Sequence, residues 1–117
     1  MKKTFCKTTH APVLTFASHS TPIGITFLEK STFPKAYKNN AIVALHGSWN
    51  RAQPAGYKLV HVKFDAQAKP VAVEDFATGW LAGTQAWGRP VDVVVGTDGA
   101  LYVSDDLANA IYRVTYH

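Results

Sequence analysis

Apolar and polar positions alternate along most of this chain with the two-residue period of half-buried strands, and no segment sustains a helical period. Ile23–Leu28 alternates after Gly24, a residue that suits a strand where two backbones come close. Ala41–His46 is apolar until its last residue, as in a strand buried on both faces. Tyr57–Phe64 alternates strictly, and Pro70–Phe76 reads as an outer strand because Pro70, Glu74 and Asp75 blunt its edge. Pro90–Val95, Ala100–Ser104 and Ala110–Tyr116 complete the set, the first two joined across Asp98-Gly99, a pair that accepts positive φ. Val13–Ala17 predicts a short edge strand. Residues 1–12 predict a flexible tail, with an added strand at Thr4–Thr8 as the alternative.

The connections carry their own signals. Pro22 turns Ser18–Pro22 into a loop by pushing Thr21 away from helix. Across residues 29–40, Phe33 and Tyr37 at i, i+4 and Pro34 at a first helical position predict one helical turn, closed by Asn39-Asn40. Asp65–Lys69 and Asp105–Asn109 are turns, and Thr78–Arg89 is a loop rich in Gly and Trp.

The strands repeat: Pro22–Phe27 parallels Pro90–Val95, Ala41–His46 parallels Ala100–Asp105, and Tyr57–Phe64 parallels Ala110–Tyr116. Each unit is an antiparallel meander, four strands in the first and three in the second, as in propeller blades. The expectation is an all-β fold of about two blades, with residues 13–117 forming a partial β-propeller and blade-like units at about 18–80 and 88–117.

Composition narrows the function classes. The apolar share of 47% and charged share of 17% are those of a globular domain, and 117 residues make one at most. The net charge of +4 comes from scattered Lys and Arg, which gives no nucleic-acid stripe. Met1-Lys2-Lys3 opens like a signal peptide, but Lys7 and His10 interrupt the apolar segment, and no membrane-length run exists. One cysteine, Cys6, leaves the redox compartment open.

The chemistry concentrates in His46-Gly47-Ser48-Trp49-Asn50-Arg51, at the end of the buried strand. His46 serves either to cap the strand or to touch a ligand. Trp49 reads as a packing anchor between blades, with a stacking platform as the alternative. Arg51 and Arg89 suit either a carboxylate ligand or interblade ion pairs with Asp92, Asp105 or Asp106. Asp105-Asp106 reads as a turn stabilised by carboxylates, two adjacent acids being too few for a metal site. His10, His19, His61 and His117 are too dispersed for zinc. Ser48 beside His46 lacks a nucleophile elbow.

Eight segments together carry a family resemblance: His19–Gly24, Ala44–Arg51, Gly56-Tyr57-Lys58, Glu74–Trp80, Gly88–Val91, Asp98-Gly99, Ser104–Asp106 and Ile111–Arg113. From about residue 12 onward the chain resembles the C-terminal portion of the soluble quinoprotein glucose/sorbosone dehydrogenases, especially the sorbosone branch. The resemblance implies a six-bladed propeller that binds pyrroloquinoline quinone (PQQ) and oxidises aldoses. It implies cofactor contacts at Arg89, Arg51, His46 and Asn50, with His19 facing the channel. It places the general base on an earlier blade and the calcium mainly on loops outside this region, so no catalytic or metal residue is assigned here. The isolated chain is therefore expected to be non-catalytic, and to self-associate as a dimer or trimer through open strand edges, or to join a missing N-terminal propeller half. Restored aldose dehydrogenase activity and a small carbohydrate- or anion-binding module are the alternatives. The family is usually periplasmic or secreted.

Overall fold

The computed structural model describes residues 3–117 and so excludes the Met1-Lys2 start. Among the described residues, nine strands run in chain order: β1 Pro22–Phe27, β2 Ala41–Leu45, β3 Lys58–Phe64, β4 Pro70–Ala77, β5 Leu81–Ala82, β6 Gln85–Ala86, β7 Pro90–Val95, β8 Leu101–Asp105 and β9 Ala110–Val114. They form antiparallel sheets in the orders β1-β2-β3-β4 and β7-β8-β9, with β5-β6 a two-residue ladder between them. The all-β expectation holds, and the predicted strands from Ile23 onward appear within one or two residues of their expected ends.

Three local expectations fail. Val13–Ala17 forms no strand, and the N-terminal region holds a four-residue helix, Lys3–Cys6, where Thr4–Thr8 offered a strand. Instead, Leu14 and Phe16 lie on the first sheet as apolar plugs. Burial of these two side chains, rather than a backbone ladder, fixes that segment. In the third case, Pro34 sits one residue ahead of the turn Lys35–Tyr37 with ψ of 159°, and its carbonyl accepts the Tyr37 amide at 2.8 Å. Among the described residues, no helix is long and apolar enough to cross a membrane.

Cross-strand pairs assign each residue to a face, because directly paired residues point the same way. In the first sheet, Thr26, Ile42, His61 and Glu74 share one face with Gly24, Ala44 and Leu59. Ile25, Val43 and Val60, with Phe27, Ala41, Val62 and Val73, share the other. In the second sheet, Val93, Val103 and Tyr112, with Val95, Leu101 and Val114, form a single face. That face packs against Ile42, Ala44 and Leu59 to make the main core, which also takes in Leu28, Phe33, Tyr57 and Trp80.

The innermost strands of the two sheets, β1 and β7, lie against each other. Gly24 permits it: a Cβ there would stand 2.7 Å from Asp92 Cα and 2.7 Å from the Val91 carbonyl oxygen. The far end is pinned by the Thr32 amide on the Gly99 carbonyl at 2.9 Å.

The faces correct the phase of the internal repeat. In a radial stack, successive blades turn the same face in the same sense. Val93, Val103 and Tyr112 look toward the first sheet, so their counterparts in that sheet are Ile25, Val43 and Val60, which look away from the second. Pro22–Phe27 therefore does match Pro90–Val95. Ala41, however, matches Leu101, and Lys58 matches Ala110, one residue off the sequence expectation in each case. With this phase His46 corresponds to Asp106.

Candidate functional site

His46, Ser48, Asn50, Arg51, Arg89, Asp105 and Asp106 leave the same end of the two meanders. This end is formed by the start of β1, the turn after β2, the starts of β3, β7 and β9, and the end of β8. The turn after β2 is held from several sides. The His46 and Gly47 amides donate to the Thr21 and Ser20 carbonyls at 2.9 and 3.0 Å, and the Ser48 amide donates to the Ala55 carbonyl at 2.9 Å. The Ser48 hydroxyl accepts the Ala55 amide at 3.1 Å, and the buried Tyr57 hydroxyl donates to the Ser48 carbonyl.

Gly47, at φ +100°, is the position where this turn cannot take a side chain, since a Cβ would stand 2.5 Å from the Tyr57 ring. His19, Thr21 and Tyr57 adopt φ of 65°, 53° and 57°. Left-handed backbone at three residues other than glycine stores strain, and such strain gathers where surrounding structure fixes a functional shape.

Arg89 joins the blades at this end. Its Nε donates to the His46 carbonyl at 3.1 Å, its Nη2 donates to the Gly47 carbonyl, and its guanidinium lies 5.4 Å from the Tyr57 ring centroid. Its own amide donates to Asp105 Oδ1 at 2.9 Å. The interblade link offered for Arg89 thus exists, but through carbonyls and a backbone amide rather than a carboxylate–guanidinium pair. Among the described residues Arg51 likewise forms no ion pair with an aspartate, and it donates from Nη1 to the Ser18 carbonyl at 2.9 Å. His46 Nε2 lies 2.9 Å from Asp106 Oδ1, joining the two positions that correspond in the repeat. Asn50 is exposed on the turn, and so is His19 on its loop.

Asp105 is a scaffold residue. Its buried carboxylate takes the amides of Arg89, Leu107 and Ala108 and the Tyr112 hydroxyl, the last at 2.9 Å. Burial alone would raise its pKa, but the bonds from Ala108, Arg89, Tyr112 and Leu107 outweigh burial and hold it below the usual range. This agrees with its reading as a turn residue. Trp49 does not serve as the expected packing anchor between these two meanders, since its indole is 84% exposed. The aromatic that packs there is Trp80, which is buried in the shared core.

The sequence named Arg89, His46 and Arg51 as candidates and offered Asp106 to the arginines rather than to His46; it did not assign Tyr57, Ser48 and Ser18, which brace the same turn. Tyr57 after Gly56 was the available signal, since a tyrosine at the mouth of a strand can turn its hydroxyl back onto a turn. The backbone carbonyls leave no trace in a sequence. Among the described residues, no three His, Cys, Asp or Glu side chains converge as a metal cage.

Antiparallel meanders stacked face to face are the architecture of part of a β-propeller. The chain belongs to the TrAA12-like family, whose model matches residues 1–117. A pyrroloquinoline quinone-dependent pyranose dehydrogenase of Coprinopsis cinerea is 33% identical over 123 residues, an alignment covering 88% of this chain and 16% of the enzyme. An uncharacterized protein of Borreliella burgdorferi is 40% identical over 101 residues, covering 85% of this chain and 27% of that protein. Among solved structures, the calcium structure of a Trichoderma reesei enzyme of carbohydrate-active family AA12 superposes with TM-score 0.74 and 27% identity, over 95% of this chain and 28% of that one. The holo pyrroloquinoline quinone domain of the C. cinerea pyranose dehydrogenase gives TM-score 0.63 and 30% identity, over 84% of this chain and 27% of that one. The chain thus spans little more than a quarter of its longest-covered relatives.

Proposed function

We propose that the end carrying His46–Arg51 and Arg89 is part of the wall of a pyrroloquinoline quinone site in a sugar dehydrogenase propeller. The observation that carries this reading is the anchoring of Arg89. Its two carbonyl bonds use two of the five guanidinium N–H donors and fix the plane of the fork, leaving three for a carboxylate. A fork held before the ligand arrives loses little freedom on binding.

The donor set suits a planar, carboxylate-bearing quinone: a fixed arginine, a histidine oriented by Asp106, and the carboxamide of Asn50 on the same turn. When bound, the quinone supplies the acceptor for two-electron oxidation of a sugar. His46 holds its ring by the Asp106 bond, which leaves Nδ1 to face a ligand. Arg51, through Ser18, keeps the strained loop before β1 against the turn. Its role is to position that loop, and direct contact with the cofactor is assigned to Arg89, His46 and Asn50.

In this reading the two meanders are a third of a six-bladed ring. The general base and calcium come from other blades, whether of the same polypeptide, a partner chain or further copies, and the 117 residues alone do not oxidise sugar. The substrate is an aldose or a relative such as sorbosone. Titration of the chain with pyrroloquinoline quinone, followed by its absorbance, tests the reading. Arg89→Ala is expected to weaken binding about ten-fold or more and Arg89→Lys to recover only part of it. Equal binding by all three proteins, or none by the unaltered chain, would remove the proposal.

A further inference from the structure

We propose that Trp49 is a platform for the apolar face of a pyranose ring, placing a carbohydrate subsite on the outer rim of the turn. The proposal relies on the site described above for its location, but its chemistry does not depend on the quinone.

Three observations converge on Trp49. The first is exposure: the indole is 84% exposed, the most of the three tryptophans, with Trp80 buried and Trp87 partly covered. Trp87 stacks on Trp80 at 6.5 Å between centroids, so those two have an internal role. The second is rigidity. Ser48, immediately before Trp49, is buried and bonded through its amide, hydroxyl and carbonyl, and Arg51, two residues after, is tied to Ser18. A platform on a braced turn binds without first having to be ordered.

The third is the company the indole keeps. Asn50, Arg51 and Gln53 follow it, all exposed and all ending in planar hydrogen-bonding groups. An apolar protein partner would call for apolar neighbours around the ring, and of the apolar residues that follow on this turn Ala52 is exposed while Pro54 and Ala55 are half-buried. A pyranose has one face of C–H bonds and a rim of hydroxyls. The indole meets the first, and carboxamides and a guanidinium meet the second. Trp49 therefore fits a neutral saccharide better than an anion or an apolar surface.

The test is a titration of the full chain with cellotriose in the absence of quinone, followed by tryptophan fluorescence and calorimetry. A saturable quench is expected, with affinity about ten-fold weaker in Trp49→Ala and within about three-fold in Trp49→Phe, which keeps a stacking face. Because the side chain is exposed, both variants should melt with the unaltered chain. No saturable binding to the unaltered chain, or undiminished binding to Trp49→Ala, would overturn the proposal. Parallel titration with pyrroloquinoline quinone separates the two readings, since Trp49→Ala is expected to bind it normally while Arg89→Ala does not.

Discussion

The two faces of the first sheet are equally buried at their centre, by different means. On one, Ile42, Ala44 and Leu59 meet a second sheet, whose Leu101 and Val103 interlock with them. On the other, Ala41, Val43, Val60 and Val62 are covered by Leu14 and Phe16, two side chains on a segment without regular structure. The difference shows at the margins, where Ile25, Phe27 and Val73 remain exposed beside the covered centre. A sheet covers a sheet along its whole width, whereas an irregular segment covers only a stripe. The second face has the composition of an interface but is only partly filled.

The largest effect should come from the sheet-to-sheet core. Leu59→Ala is expected to cost about 3 kcal/mol in urea unfolding, since Leu59 is fully buried and its neighbours belong to two sheets. Phe16→Ala should cost about 1 kcal/mol, because only part of the ring is covered. If the second loss equalled the first, the irregular segment would be as integral as the neighbouring sheet, and the contrast would collapse.

Intermediate effects lie where the sheets join. Gly24→Ala should cost about 2 kcal/mol by forcing β1 from Asp92 and Val91. An unchanged melting temperature would show that the strands separate freely. Asp105→Asn should cost a similar amount, about 2 kcal/mol, by weakening the carboxylate bonds between Arg89, the Leu107–Ala108 turn and Tyr112. Its pKa lies below that of an unfolded aspartate, so its contribution is complete above the ordinary value near 3.9 and fades as pH falls toward the lowered one. The variant should therefore flatten the most acid part of the stability curve, and an unaltered acid limb would contradict this.

The smallest effect belongs to His61, on the sheet-to-sheet face. Its Nε2 is buried without a hydrogen-bond partner among the described residues, and its ring stacks on Tyr37 at 4.9 Å. Burial, then the charge of Lys63, lowers its pKa, and Glu74 opposes the shift. The unfolded chain thus takes up this proton first, and stability should begin to fall as pH drops below about 6.5. Replacement by Gln should remove that step. A His61→Gln curve parallel to the unaltered one between neutral and mildly acid pH would assign the step to other groups.

The same contrast explains what could be read from the sequence. β3 was legible because it alternates, and β7 and β8 because Asp98-Gly99 marks their turn. β2 is apolar at every position because both its faces are buried, so Ala41–Leu45 carries no alternation and hence no phase. The repeat was therefore aligned one residue out, and His46 was set opposite Asp105 instead of Asp106. Val13–Ala17 has the composition of a strand, but Leu14 and Phe16 gain their burial from side-chain contact rather than a ladder. β5 and β6 are too short to leave any pattern. At the candidate site, Arg89 was named through the family resemblance, from its place before β7. What it holds was invisible, because the carbonyls of His46 and Gly47 belong to every residue alike.

The corrected phase gives the stack a direction. The free face of the second sheet carries Val94, Tyr102, Ser104, Ile111 and Arg113, the counterparts of Thr26, Ile42, Ala44, Leu59 and His61 in the first. Those counterparts already have a fitting neighbour, and it is built like Ile25, Val43 and Val60. A blade added beyond Ile111 must therefore present a face of that second kind, and a blade added beside Val43 must present one of the first. The two ends are complementary as plug and socket, so a ring built from such units would add them head to tail. A two-fold pairing of either end with itself would set plug against plug.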